Sequence, residues 1–401
     1  MPIFMQNSRR AAATAADPID RLRCLDWDFA DTSSSAPLHS LHPYPAKFIP
    51  EIPSALISEL SSEGETVADI FCGSGTTLVE ALRIRRRAVG VDANPLACLI
   101  ARAKTCRLTT ESRAALTTLI GRAEQLATRV GPLPLFDRNF TSKEYRPDAK
   151  ITNFWFEPFV VEELAELRSY CLSLQQPARS VALTAFSSII VAVSKQDSDT
   201  RYVRRNKKIK PGDTCTKFAR ALQQAIAAHD TLALPFDADD RCLVINANVL
   251  SEPELPVFDL LVCSPPYPNA YSYHLYHMTR MLWLEMDQST FKKEEIGSHR
   301  KYSSRGPRAA TPETFEIEFS RIMAWVARHL RLNGYACFIV GDSTIRGQRV
   351  NNADILSRAG GASGLVEVAR MKRRMRDTRK AFNPAIGKIK TEDILILQRL
   401  R

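Results

Sequence analysis

Two short stretches of the 401-residue chain carry residue types that chemistry needs at fixed spacing. The first, Asp69-Ile-Phe71-Cys-Gly73-Ser-Gly75-Thr76-Thr77, grows out of the apolar run VADIF (67–71) and opens the helical pattern TTLVEALRIRRR. Glycines at such a turn let the backbone bend sharply against a ligand, and the helix N-terminus offers unpaired N–H groups to an anion. Position 78 is leucine, so the third glycine of the dinucleotide fingerprint is missing. That weighs against NAD and leaves other adenosyl ligands open. Asp92, ending the next strand pattern AVGVD, stands where an acidic side chain accepts hydrogen bonds from a ribose diol.

The second stretch is Ser264-Pro265-Pro266-Tyr267, directly after the apolar run FDLLVC. Two prolines have fixed φ and no N–H, so they stop the sheet and hold a stiff loop with its carbonyl oxygens free. Tyr267 adds a flat aromatic face. Cys263 precedes the turn at a buried strand end, where an inert apolar thiol is the expected state.

These loops need a scaffold. VADIF, AVGVD, RCLVINANV (241–249), FDLLVCS (258–264), GYACFIVGD (334–342), LVEVARM (365–371) and EDILILQ (392–398) read as strands, with amphipathic helices between the first ones. One of these helices begins near Asn94, with Pro95 in its first turn. The pattern predicts an α/β fold with a mostly parallel sheet covered on both faces. Residues 107–240 interrupt it with helical spacing and form an insertion, and residues 1–37 form a flexible polar lead. Hydrophobic residues at 45% and charged residues at 25% describe a folded chain. A net charge of +11 favours a polyanionic partner, nucleic acid first. Nine cysteines without a CxxC pair read as reduced thiols of a cytoplasmic protein, and no apolar stretch suits a signal peptide or a membrane span. His274 and His277, three apart on the predicted helix YSYHLYHMTRMLW, lack a third ligand spaced for a metal and read as helix-surface or base-pocket residues.

Taken together, Asp69 to Gly75 and Ser264 to Tyr267 resemble the Asp-x-Phe-x-Gly-x-Gly and [Ser/Asp/Asn]-Pro-Pro-[Tyr/Phe] segments of the amino-methylating DNA methyltransferases. His42-Pro-Tyr44-Pro-Ala-Lys47-Phe48 is similar to the element that precedes the cofactor loop in that family. The resemblance implies a Rossmann-like methyltransferase fold, a catalytic domain at 38–106 and 241–401, and S-adenosylmethionine as methyl donor. Asp69, Phe71, Gly73, Gly75, Thr76 and Asp92 then face the cofactor, with Lys47 near its carboxylate and Asn246 or Asn248 near its adenine. Ser264, Pro265, Pro266 and Tyr267 become the catalytic turn, which accepts hydrogen bonds from the target amine and stacks on a flipped base, with Phe71 or Tyr44 completing the sandwich. Serine at 264 resembles the cytosine-N4 branch. Adenine-N6, an RNA amine, and a non-catalytic nucleic-acid-binding module are the competing expectations.

The implied partners are double-stranded DNA and a cognate restriction endonuclease, with no metal and no membrane, in a bacterial or archaeal cytosol. The insertion falls where one subclass of the family carries target recognition. Arg201, Arg204, Arg205, Lys207 and Lys208, with Arg305 in the loop 301–308, are the expected phosphate contacts.

Overall fold

Side-chain alternation fixes the sheet. In β1 (Thr66–Asp69), β6 (Phe258–Cys263) and β7 (Leu330–Gly341), neighbouring residues point to opposite faces and both sets are apolar. Ala68, Leu261, Cys263, Phe338 and Val340 enter one core, whereas Val67, Leu260, Val262, Cys337 and Ile339 enter another on the far face. Strands buried on both sides need helices on both. Pro312–His329 and Asn352–Ala362 cover the first face, through Phe315, Phe319 and Leu356. The second is covered by α1 (Pro18–Arg23), α2 (Glu51–Leu60) and α3 (Thr76–Arg83), through Leu22, Leu56 and Leu78.

The computed structural model describes residues 17–30, 37–45, 47, 49–129, 144–199, 201–231, 241–268, 272–298, 301–302, 310–345, 347–375 and 391–400. With β2 (Arg87–Asp92), β5 (Cys242–Asn246), β10 (Leu365–Arg374) and β11 (Thr391–Arg399), the seven-stranded sheet runs β5-β2-β1-β6-β7-β11-β10. The first five of these strands are parallel, and β11 is antiparallel to both of its neighbours. This is the mostly parallel Rossmann-like sheet expected from the sequence. From β1 the chain builds outward through β2 to β5, then returns to the other side of β1 to lay down β6 and β7. The switch point of the topology therefore lies between β1 and β6.

α4 (Pro95–Thr105) begins as expected, with the Asn94 side chain accepting from Leu96 N–H and proline in the first turn. Beyond it come α5 (Thr110–Arg129), α6 (Ala149–Trp155), α7 (Pro158–Leu172), α8 (Ala178–Val193) and α9 (Asp213–Thr231). These helices share a core of their own, including Leu116, Leu164, Phe186, Phe218 and Leu222, into which Trp283 also packs. The basic run between α8 and α9 is not simply a loop: it contains a hairpin of β3 (Gln196–Ser198) and β4 (Arg201–Arg204). A second small hairpin, β8 (Ser343–Ile345) with β9 (Gln348–Val350), follows β7.

Within the polar lead, residues 17–30 are folded rather than flexible. Leu22 and Trp27 are buried, Arg23 donates to Val368 O, and the Asp28 carboxylate accepts from Arg374 N–H on β10. Ile19, Leu22 and Trp27 dock this polar stretch onto the core. No helix among the described residues is long and apolar enough to cross a membrane.

Candidate active site at the switch point

Parallel pairing of β1 with β6, in the register Val67↔Leu260 and Ala68↔Leu261, sends the two motif loops out of the same edge side by side. The Thr77 hydroxyl ties them together by donating to Val262 O at 3.3 Å. Gly73 and Gly75 have φ of +48° and +80°, the left-handed region that favours glycine. A Cβ on Gly75 would also stand 3.0 Å from Ala101 Cβ on α4, so the turn can lie against that helix only as glycine.

Asp69 and Asp92 hold this turn from beneath. Asp69 is buried; its Oδ1 accepts from Phe71 N–H at 3.1 Å and its carboxyl is bonded to the Thr77 side chain. Asp92 Oδ2 accepts from Gly73 N–H at 2.8 Å and Oδ1 from Asn94 N–H at 2.8 Å. Burial raises Asp69 to about 7 and Asp92 to about 6, against the backbone bonds that lower both. Nearby Glu295 adds to the rise at Asp92. Asp69 thus shapes the loop from inside, whereas Asp92 is partly exposed and keeps lone pairs for a diol. Thr76 is buried in the first turn of α3. Phe71 packs on Phe319, with ring centroids 6.1 Å apart. Exposed Asn246 donates to Asp92 O at 2.9 Å, beside the diol position, while Asn248 caps the turn at Val249–Ser251.

Lys104 lacks any motif, and its position is the least expected of the site. It is fully buried on α4, and its Nζ has a neutral partner, the Ser74 hydroxyl of the glycine loop, at 3.2 Å. Burial pushes this ammonium far below the ordinary lysine range, and Lys47 pushes it further. No carboxylate contributes to its electrostatics among the described residues. Lys47 itself donates to His39 O at 2.7 Å and His42 O at 3.3 Å, so it braces the element 39–47 beside the loop. A buried cation without a counter-charge is costly, and an anion bound against Ser74 would relieve that cost. Together with the glycine cradle and the free lone pairs of Asp92, Lys104 gives the chain what an adenosyl ligand carrying an amino-acid carboxylate requires.

On the β6 side, Ser264, Pro266 and Tyr267 are partly exposed and Pro265 is buried. The Tyr267 hydroxyl donates to Glu392 Oε1 at 2.8 Å, with Ile339 O at 3.4 Å as a second acceptor. Cys263 is fully buried and its thiol is pushed well above the usual range by burial, as the inert reading expects. The turn is braced by Gly297, at φ +73°, where a Cβ would meet Tyr267 O at 2.7 Å and Pro266 O at 3.0 Å. No sequence pattern marked Gly297, because its partner is another loop's backbone.

Above the glycine loop lies a group of aromatic rings. Tyr44 stacks with His277 at 5.0 Å and with Tyr273 at 5.9 Å, and its hydroxyl accepts from Asn94 Nδ2 at 3.2 Å. The helix expected here breaks at His277 into Tyr273–Tyr276 and Met278–Trp283. His274 and His277 are buried, which corrects the helix-surface alternative. His274 Nδ1 lies 2.6 Å from Glu295, and both ring nitrogens of His277 lack hydrogen-bond partners among the described residues. Among the described residues, no three His, Cys, Asp or Glu side chains gather as a metal site.

The basic cluster is more engaged than its composition suggests. Arg201 and Arg205 both pair with Asp197, and Arg204 donates to Phe154 O while lying over the Phe154 ring. Lys207 donates to Val191 O at 2.6 Å and is turned inward, whereas Lys208 is exposed. Arg305 lies outside the described residues. Asp342, at the end of β7, pairs with Arg349 of the following hairpin.

Residues 7–103 match a family model described as DNA methylase, of the N6- and N4-methylating type. The chain is 36% identical over 85 residues to the type II methyltransferase M.MjaII of Methanocaldococcus jannaschii, a match covering 20% of this chain and 16% of that one. It is 24% identical over 285 residues to the type II methyltransferase M.MvaI of Kocuria varians, covering 64% of this chain and 60% of that one. The chain thus spans less than two thirds of either relative. Among solved structures, a TehB-like SAM-dependent methyltransferase from Corynebacterium glutamicum aligns over 86% of both chains, at 8% identity and a TM-score of 0.30.

Two outcomes follow from this geometry. The folded chain keeps a proton on Asp69 up to about pH 7, where an unfolded carboxylate has released it near 3.8. Stability is therefore fullest below the ordinary carboxylate pKa and declines as pH rises towards 7. Asp69→Asn, which keeps the acceptor for Phe71 N–H, should flatten the fall of Tm between pH 5 and pH 8, and an unchanged slope would contradict the assignment. Gly297→Ala should destabilise the fold by about 1–2 kcal/mol from its φ alone, measured by urea unfolding, and the wild-type value would show that the Pro-Pro loop yields freely.

Proposed function

We propose that this chain is an S-adenosylmethionine-dependent DNA methyltransferase that modifies an exocyclic amine, the N4 amine of cytosine in preference to N6 of adenine, without a covalent enzyme intermediate. The single observation that carries the reading is the shared edge. The glycine turn with its buried counter-ion Lys104 and the Ser264–Tyr267 turn leave adjacent parallel strands, linked by Thr77 and Val262. The DNA methylase match over 7–103 and the type II methyltransferase relatives support the substrate class, and a restriction endonuclease is the partner such a context implies.

The donor would lie with its carboxylate towards Lys104, its ribose on Asp92 and its adenine beside Asn246. When bound, it supplies an electrophilic methyl group. The chain's own part is to present the amine. Cytosine's exocyclic nitrogen is a weak nucleophile because its lone pair is delocalised into the ring. Transfer places positive charge on it, so fixed acceptors stabilise the transition state more than the ground state. Ser264 Oγ and Pro265 O are those acceptors. Tyr267 and the rings of Tyr44, Tyr273 and His277 offer flat surfaces to a base turned out of the duplex, an extrusion that stacking worth about 1–3 kcal/mol per base partly offsets. The helical insertion, with exposed Arg204, Arg205 and Lys208 in and after its hairpin, makes the duplex contact and recognises the target.

Duplex DNA incubated with the chain and labelled donor, then digested to nucleosides for mass spectrometry, should contain N4-methylcytosine. N6-methyladenine would move the target to adenine, and no methylated nucleoside would refute the enzyme. Ser264→Ala should bind donor normally and lose transfer by about 100-fold or more. Lys104→Met removes the buried amine. It should leave Tm unchanged or raised while weakening donor binding by about 10- to 100-fold in calorimetry, and unchanged affinity would remove Lys104 from the donor site.

A further inference from the structure

The insertion carries an aromatic face that the site at the switch point does not use. On α6, Ile151 and Phe154 stand three residues apart on one side of the helix, and both are exposed, Phe154 to 50%. The Arg204 guanidinium of β4 lies over the Phe154 ring, 5.2 Å from its centroid, and Arg204 Nε donates to Phe154 O at 3.1 Å. Trp155 meets the same ring in a T-shaped contact, with centroids 4.9 Å apart. Arginine and tryptophan thus fix the plane of a phenyl group that stays half open to water. The next residues, Trp155 and Phe156, are instead taken into the insertion's core, where burial rewards an aromatic ring.

The surroundings of the ring select its partner. Residues 201–210 contain six Lys and Arg and no Asp or Glu. Strand alternation turns Tyr202 and Arg204 towards α6, where Tyr202 packs on Trp155 at 5.0 Å, and turns Arg201 and Val203 away. Asp197 pairs with Arg201 and Arg205, while Lys150, Arg205 and Lys208 are exposed around the patch. A second copy of this chain would bring the same positive run to the contact. A nucleic-acid strand brings flat apolar bases and phosphates together, and so satisfies both the ring and the cations.

The hairpin is also fastened to the wall of the candidate base site. The Tyr202 hydroxyl donates to Met278 Sδ at 3.1 Å, Gln196 Nε2 donates to Tyr276 O at 3.4 Å, and Gln196 Oε1 accepts from the Thr279 hydroxyl at 3.1 Å. Buried Arg280 pairs with Asp199 and donates to Ser187 O on α8 at 3.0 Å. Tyr273 and His277 belong to the same stretch, 273–283, so the Phe154 face is held in fixed relation to the rings of the base site.

The geometry points to a second base-binding surface, on which Phe154, backed by Arg204, stacks on a nucleobase of the DNA that extrusion of the target has left unstacked. Arg205 and Lys208 neutralise the phosphates of that strand, and Arg204 acts through the ring it supports. The inference deepens the function proposed above and rests on it for the extruded target.

The test uses the full chain and two probes. A fluorescent single strand of mixed sequence, about 30 nucleotides long, offers bases open to stacking without extrusion, and its binding is followed by anisotropy between about 50 and 200 mM salt. Unmethylated plasmid with labelled donor reports transfer. Phe154→Ala should weaken the single strand by about 5- to 100-fold, the loss of one base–aromatic stack, with the salt slope unchanged. Phe154→Tyr should bind as the wild type does, and Phe154→Leu, apolar but without a ring, should be as weak as alanine. Arg205→Ala should instead lower the salt slope by about 0.7. On plasmid, Phe154→Ala should lower kcat/KM for DNA and leave donor affinity in calorimetry unaltered. Wild-type binding in Phe154→Ala, or full rescue by leucine, overturns the stacking surface. A wild-type dimer in sedimentation that Phe154→Ala converts to monomer overturns it too, because the face then belongs to a second copy. A chain that binds the single strand through Phe154 but methylates no plasmid overturns the proposed function and leaves the surface standing.

Discussion

The site depends on the parallel pairing of β1 with β6 at the middle of the sheet. Each strand is apolar on both faces, so the pair is stable only where helices cover both sides, and there the two C-terminal ends must open at one edge. Because the chain reverses its direction of growth between these strands, the helices that follow them lie on opposite faces and leave a crevice between the loops. The Thr77 bond to Val262 O holds the register of the two loops at their base.

Polar groups under this edge hold the loops that leave it. Asp69 and Asp92 spend acceptors on the backbone of the glycine turn, and burial raises both towards neutral pH. Lys104 is buried with a hydroxyl instead of a carboxylate as its partner. Such a group detracts from the stability of the free chain and improves the fit of an anion. On the β6 side Glu392 pairs with Arg373, and Tyr267 links it to the Ser264–Tyr267 turn.

The sheet was largely legible in the sequence because its strands are short apolar runs and the glycine and proline turns punctuate their ends. The placement of Asp69, Gly73, Asp92 and Ser264 to Tyr267 at one sheet edge was legible for the same reason: each lies within a few residues of a strand end. Lys104, Gly297 and Glu392 were not. Their roles come from contacts across many residues of chain, such as Tyr267 with Glu392 or Gly297 with Pro266 O, and no local spacing records them. The ordering of residues 17–30 was missed because Leu22 and Trp27 dock a stretch whose average composition is polar. The hairpin β3–β4 was hidden by its arginines, since charge alone does not tell a solvated loop from a short exposed ladder.

The most direct measurement is a crystal structure of the chain with duplex DNA and a non-reactive amine analogue of the sulfonium donor. The predicted complex has a cytosine turned out of the helix, its exocyclic nitrogen about 3 Å from Ser264 Oγ, and the donor's carboxylate on Lys104. A donor bound away from the glycine turn, or a target base reaching the molecule at any edge other than the one shared by β1 and β6, would contradict it.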